Sequence, residues 1–256
     1  MGTGGVDLEI QNAFRVGDHC NAQVFTAKVL QASPNPHYLK PGKEIVTKIY
    51  DPLYFNDGGY INPFRAVDKH YTHEARTYDV LSDLQGTLIP TFYGSYTLDI
   101  PVNGHQKRIV RLILLDYVSG KSMQQVNPMD FSQQTRQQIM KSIVDFETLI
   151  FQRDIALTDL SPRNVVMRKG VDPDAKGALV LIDFAGALFG RTRDDIEAKA
   201  VDMLLGQYIS PLLRWKKRMM RWEFNDWIDW DWQSWLQAQY AYTAATITTE
   251  IQKRYG

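Results

Sequence analysis

The sequence predicts an α+β fold in two parts. Strand-like runs come first and helix-like runs follow, the order of segregated rather than alternating elements. Ser119-Gly120 interrupts the pattern and sets the predicted boundary, giving residues 1–118 and 119–256. The chain has 256 residues, 44% hydrophobic and 23% charged, enough for a substantial core in each part.

The elements follow in order. Residues near 13–50 read as three strands, with Gly17-Asp18-His19 as a turn inside Val16–Val29 and β-branched Ile45–Tyr50 after Pro41-Gly42. Ala66–Leu84 reads as a helix, with Ala75, Tyr78, Leu81 and Leu84 on one stripe and Gly86 as its stop. Thr91–Leu98 and Arg108–Tyr117 read as a hairpin around Asn103-Gly104. The first part is therefore a five-stranded sheet with one helix. In the second part, Phe131–Phe151 reads as a long helix presenting Ile139, Ile143, Phe146 and Ile150. Val165–Met167 and Leu179–Ile182 read as short strands, and the remainder as helical.

Composition excludes some classes. Basic and acidic residues number 29 each, so no global field favours nucleic acid or an anionic membrane. No apolar stretch approaches the roughly 18 residues that span a bilayer. The first residues lack the basic and apolar pattern of a signal peptide, and Val6 breaks a myristoylation pattern. Cys20 is the only cysteine, which precludes an intrachain disulfide and suits a reducing compartment. The expectation is a cytoplasmic protein with no membrane partner.

Two segments carry chemistry. Asp159-Leu160-Ser161-Pro162-Arg163-Asn164 places an acid five residues before an amide. Leu181-Ile182-Asp183-Phe184 ends an apolar strand with a second acid. An acid at one end of a loop suits a base, and an amide at the other suits a metal ligand. The second acid suits a carboxylate holding Mg²⁺ against nucleotide phosphates.

These segments resemble the D-x-x-x-x-N loop and D-F-G segment of the protein-kinase superfamily. The resemblance covers roughly residues 13–210 and is nearest to small fungal kinase-like and aminoglycoside-phosphotransferase-like proteins. It implies a two-lobed kinase-like fold with a truncated helical C-lobe, and ATP and Mg²⁺ as cofactors. By the same resemblance, Lys48 would neutralise phosphate charge and Glu74 would orient it. Gly17 and Val24 would cover the nucleotide, and backbone groups of Asp116 and Val118 would meet the adenine edge. Asp159 would act as base, Arg163 would assist the phosphate, and Asn164 and Asp183 would hold Mg²⁺.

The departures narrow the expectation. The glycine-loop positions read Gly17, His19 and Ala22; Leu157-Thr158 replaces the His-Arg pair; Ala185 replaces the D-F-G glycine, with Gly186 next. Residues 184–256 leave little room for a peptide-docking platform, which favours a small-molecule acceptor. Two alternatives stand beside phosphotransfer. One is a pseudokinase that binds nucleotide or a partner. The other is a transferase acting on a charged tRNA through the basic, aromatic segment Arg214–Trp222. That segment is read in preference as a helical cap packed by its tryptophans, with Asp226, Asp229 and Asp231 offsetting its charge. His70 and His73 have a metal-like spacing without an evident third ligand.

Overall fold

The computed structural model describes residues 4–18, 20–33, 39–55, 58–59, 61–104, 106–173, 175, 177–190, 206–216 and 222–255. The chain is mixed α+β and divides into two compact units, Met1–Val118 and Ser119–Gly256.

The first unit is an antiparallel sheet of β1 (Gly5–Arg15), β2 (Gln23–Ser33), β3 (Glu44–Tyr50), β4 (Phe92–Asn103) and β5 (Gln106–Asp116). Its strand order is β1-β2-β3-β5-β4. Strand alternation sorts the side chains. One face packs Ala27, Val29, Ile45, Tyr93, Leu112 and Leu114 into a buried cluster, each such side chain contributing roughly 1.5–3 kcal/mol when large and fully buried. The offset residues Lys48 and Tyr50 face a helix, α1 (Pro63–Val80). Asn62 caps α1 by accepting from the Phe64 and Arg65 N–H groups, and Pro63 occupies its first turn.

Three boundaries differ from expectation. β1 begins at Gly5, because Val6, Leu8 and Ile10 alternate with Asp7, Glu9 and Gln11 along an edge strand. α1 starts three residues before the predicted Ala66 and ends at Val80; a 3₁₀ turn over Ser82–Leu84 completes the predicted span. In the hairpin, Asn103 still pairs with Gln106, so the turn falls one residue later, with Gly104 at φ 55°.

The second unit is built on α2 (Gln133–Gln152). Ser132 caps it by accepting from the Thr135 N–H at 3.1 Å, and Ile139, Met140, Ile143, Val144, Ile150 and Phe151 form its buried face. Around it run β6 (Gly120–Ser122), β7 (Ile155–Leu157), β8 (Val165–Arg168), β9 (Leu179–Leu181) and β10 (Ala187–Phe189). β6, β8 and β9 form one small sheet; β7 and β10 form another. Gly120 is required where β6 meets β8, since a Cβ there would lie 2.1 Å from the Met167 carbonyl oxygen. Beyond residue 206 the described helices are short: α3 (Pro211–Arg214), α4 (Trp232–Tyr240) and α5 (Thr249–Tyr255). No helix among the described residues is long and apolar enough to cross a membrane.

Candidate phosphoryl-transfer residues

Two ladders in the second unit bring the two chemical segments together. At one end Leu157 pairs with Ala187 across β7 and β10. At the other Val165 pairs with Leu181 across β8 and β9. The intervening residues, 158–164 on one segment and 182–186 on the other, therefore run side by side. Two cross-bonds close the arrangement. The Ile182 N–H donates to the Asn164 carbonyl at 2.9 Å, and the Thr158 hydroxyl donates to the Gly186 carbonyl at 2.6 Å. Asp159 and Asp183 consequently line one small cavity of about 10 Å³, the space of a single water or ion.

The Asp159–Asn164 loop is held internally. Pro162–Asn164 forms a 3₁₀ turn, closed by the Asn164 N–H on the Ser161 carbonyl at 2.9 Å. The Asn164 amide nitrogen donates to the Asp159 carbonyl at 2.9 Å and to its carboxylate at 3.1 Å. Arg163 donates to the other Asp159 carboxylate oxygen. This hydrogen bond raises the Arg163 guanidinium above its ordinary value, against a smaller opposing effect of burial, so it stays cationic. Each carboxylate oxygen has two lone pairs, so Asp159 retains capacity to accept a substrate proton.

Asp183 sits at φ 67°. Among the described residues it shares positive φ with one other non-glycine residue, Asp154, which follows the α2 C-cap and bonds the Phe151 carbonyl. Asp183 ends no helix, so the ladders hold it in a conformation that costs a non-glycine residue free energy. Phe184 and Ala185 behind it are buried. The glycine that matters here is Gly186, where a Cβ would approach the Thr158 hydroxyl to 2.6 Å.

In the first unit, Lys48 Nζ lies 2.5 Å from Glu74 Oε2 on α1. Glu74 is fully buried, and the Tyr50 hydroxyl donates to the same oxygen. Val24 is the Cα partner of Lys48 across β2 and β3, which puts both on one face. Gly17 has φ 109°, but its N–H donates to the Gln23 side chain at 2.7 Å and its carbonyl accepts from the same amide at 3.0 Å. Its peptide groups are thus committed to Gln23 rather than open to phosphate. The Asp116 N–H donates to the Thr91 carbonyl at 2.8 Å, which removes that group from those that could meet a base. The Asp116 carboxylate holds Lys43 at 3.1 Å and the Tyr93 hydroxyl at 2.8 Å. Val118 is half-buried. His19 lies outside the described residues.

No protein-family model matches this chain, and no curated protein matches it.

The segment Arg214–Trp222 divides. Arg214 and Trp215 are core residues: the Arg214 guanidinium pairs with buried Glu147 and lies over the Phe151 ring at 3.6 Å. The Trp215 indole donates to the same carboxylate at 3.1 Å. Trp227, Trp232 and Trp235 are buried too, whereas Trp222 is exposed. Residues 217–221 lie outside the described residues.

Sequence reading missed Tyr50, Gln23 and the Thr158–Gly186 contact. Tyr50 carried a signal, since it stands two residues after Lys48 on a strand and must share its face. Gln23 and Thr158 carried none, because their roles depend on long-range register. Among the described residues no three His, Cys, Asp or Glu gather into a metal-binding group.

Proposed function

We propose that the chain is an ATP- and Mg²⁺-dependent phosphotransferase of kinase-like fold, acting on a hydroxyl or amine of a small molecule. The supporting observation is the pair Asp159 and Asp183, pinned beside one cavity by two ladders, with Asp183 held at positive φ.

The residues fit Mg²⁺. Asp183 offers a carboxylate and Asn164 an amide oxygen, both hard donors, and Mg²⁺ completes its shell with water and phosphate oxygens rather than a dense protein cage. When bound, it neutralises charge on the transferring phosphoryl group. Asn164 and Asp183 would hold and orient that charge. Lys48, fixed by Glu74 and Tyr50, presents an ammonium to the nucleotide phosphates. Asp159 orients the acceptor and takes its proton as the acceptor oxygen or nitrogen bonds to the γ-phosphorus. The bond from γ-phosphorus to the bridging oxygen breaks, and ADP leaves with that electron pair. Arg163, tethered to Asp159, adds positive charge beside the transferring group.

Incubation with radiolabelled ATP and a metabolite mixture tests this reading. Label transfer that requires Mg²⁺ and falls at least a hundredfold in Asp159→Asn supports it. Transfer unaffected by that substitution sinks it.

A second reading, nucleotide binding without transfer, draws on the Gln23 clamp. A loop whose Gly17 N–H is already satisfied has less to offer a phosphate. Under that reading ATP binds, but no acceptor is labelled.

A further inference from the structure

Neighbouring residues of β2 turn to opposite faces of the first sheet. Val24 pairs with Lys48 and shares its face. Gln23 pairs with Ile49, which packs on the hydrophobic cluster of the other face. Gln23 is 7% exposed, and its side-chain amide holds both backbone groups of Gly17. The Gly17 N–H donates to Oε1 at 2.7 Å, and Nε2 donates to the Gly17 carbonyl at 3.0 Å. The first glycine of the candidate phosphate loop is therefore tied to a side chain of the face that Lys48 does not share.

We propose that Gln23 is a latch: it keeps the Gly17 backbone groups turned from nucleotide phosphate, and phosphate binding releases them. The proposal rests on the phosphotransferase reading and concerns the regulation of that site. Competition is its physical basis. One N–H makes one good hydrogen bond, so the Gly17 N–H serves either Gln23 or a phosphate oxygen. Two neutral hydrogen bonds bias such an equilibrium by roughly ten- to a hundredfold. A charged phosphate oxygen accepts more strongly than an amide carbonyl, so a bound nucleotide can pull the equilibrium over.

The backbone at this point suits two arrangements. Gly17 lies at φ 109°, yet a Cβ there would meet nothing within 4 Å. Space does not require glycine here; the backbone conformation does, and glycine passes between positive and negative φ at little cost. Val16 and Asp18 on either side are exposed, so burial does not hold the turn. The contact to Gln23, anchored on β2, holds it.

The test follows Gly17 itself in the full chain. Val16-Gly17 is the only Val-Gly pair in the sequence, so carbonyl-labelled valine with nitrogen-labelled glycine yields one assigned amide signal. In wild type, Mg²⁺-ATP should shift that signal, because a charged acceptor replaces an amide, whereas adenosine should leave it in place. Without nucleotide, exchange of the Gly17 N–H with solvent should be at least tenfold faster in Gln23→Leu, which keeps the bulk of the side chain. The same variant should bind Mg²⁺-ATP about tenfold more tightly than wild type and adenosine with unchanged affinity. An ATP-bound wild type whose Gly17 signal has not moved overturns the latch and leaves the phosphotransferase reading standing. So does equal exchange in the two proteins, or a Gln23→Leu that binds Mg²⁺-ATP no more tightly. ATP that binds neither protein removes the phosphotransferase reading, and the latch with it.

Discussion

At the scale of single residues, free energy is concentrated at Asp183 and at the Lys48–Glu74 pair. Positive φ at a non-glycine residue costs on the order of 1 kcal/mol or more. Asp183→Gly should therefore raise stability to denaturant by about 0.5–1 kcal/mol while abolishing Mg²⁺-dependent nucleotide binding. Asp183→Asn should abolish binding without that gain. A Gly variant that unfolds more easily than the Asn variant would show that the strain is absent. The buried pair behaves differently. Removing Lys48 leaves a fully buried carboxylate with its cation gone, a change that costs about 3 kcal/mol where other hydrogen bonds persist, as the Tyr50 bond does here. Lys48→Met should lose about that much in equilibrium unfolding. Lys48→Met/Glu74→Leu should recover part of it, since no buried charge remains.

At the scale of elements, the candidate site is a product of register. β7 with β10 and β8 with β9 fix both ends of two loops, and the loops have no freedom to separate. The Thr158–Gly186 contact is the narrowest point of this clamp. Gly186→Ala drives a methyl against the Thr158 hydroxyl and should destabilise by about 1–3 kcal/mol. Thr158→Ala in the same chain should relieve part of the loss, a non-additivity measurable by a double-mutant cycle. Strict additivity would mean that the two residues do not touch.

The same scale shows what was legible. α2 lies within two residues of its predicted start, because its apolar period is strong and Ser132 caps it. The Asp159, Asn164 and Asp183 spacing was visible because loop chemistry is local. Of the three-residue strands, β9 was legible because Leu179–Ile182 is a continuous apolar run, whereas β6, β7 and β10 were not, since so short a strand has no period to read and exists only through its partner. The early start of β1, at Gly5 rather than near residue 13, was missed for another reason: its alternation is present, but its outward residues are polar and its burial slight, as suits an edge.

At the scale of the whole molecule, the ten-strand, mixed α+β pattern among the described residues suits a sheet-based unit and a helix-based unit, each with its own core. The aromatic weight of the second unit is structural. Trp215, Trp227, Trp232 and Trp235 fill it, and polar groups tie it together: Glu147 to Arg214, and Asp229 to buried Arg136 at 2.6 Å. Hydrogen bonds from Arg136 and Gln133 hold the Asp229 carboxyl below its usual range. A depressed folded-state value means that this contact stabilises above the unfolded carboxylate value, near pH 4, and fades as pH falls through the folded value. Acid unfolding should therefore show a contribution below about pH 4 that Asp229→Asn removes, read as a smaller drop in melting temperature between pH 5 and pH 3 for the variant. Identical acid profiles would exclude the contact from the stability of this unit.

Under the proposed function, Asp183 and Lys48 each contribute to holding a magnesium-bound nucleotide. Calorimetric titration of the full chain with ATP, with and without Mg²⁺, tests it most directly. Binding should require Mg²⁺, vanish in Asp183→Asn and weaken at least tenfold in Lys48→Met. ATP that fails to bind in Mg²⁺, or binds equally well to Asp183→Asn, would contradict it.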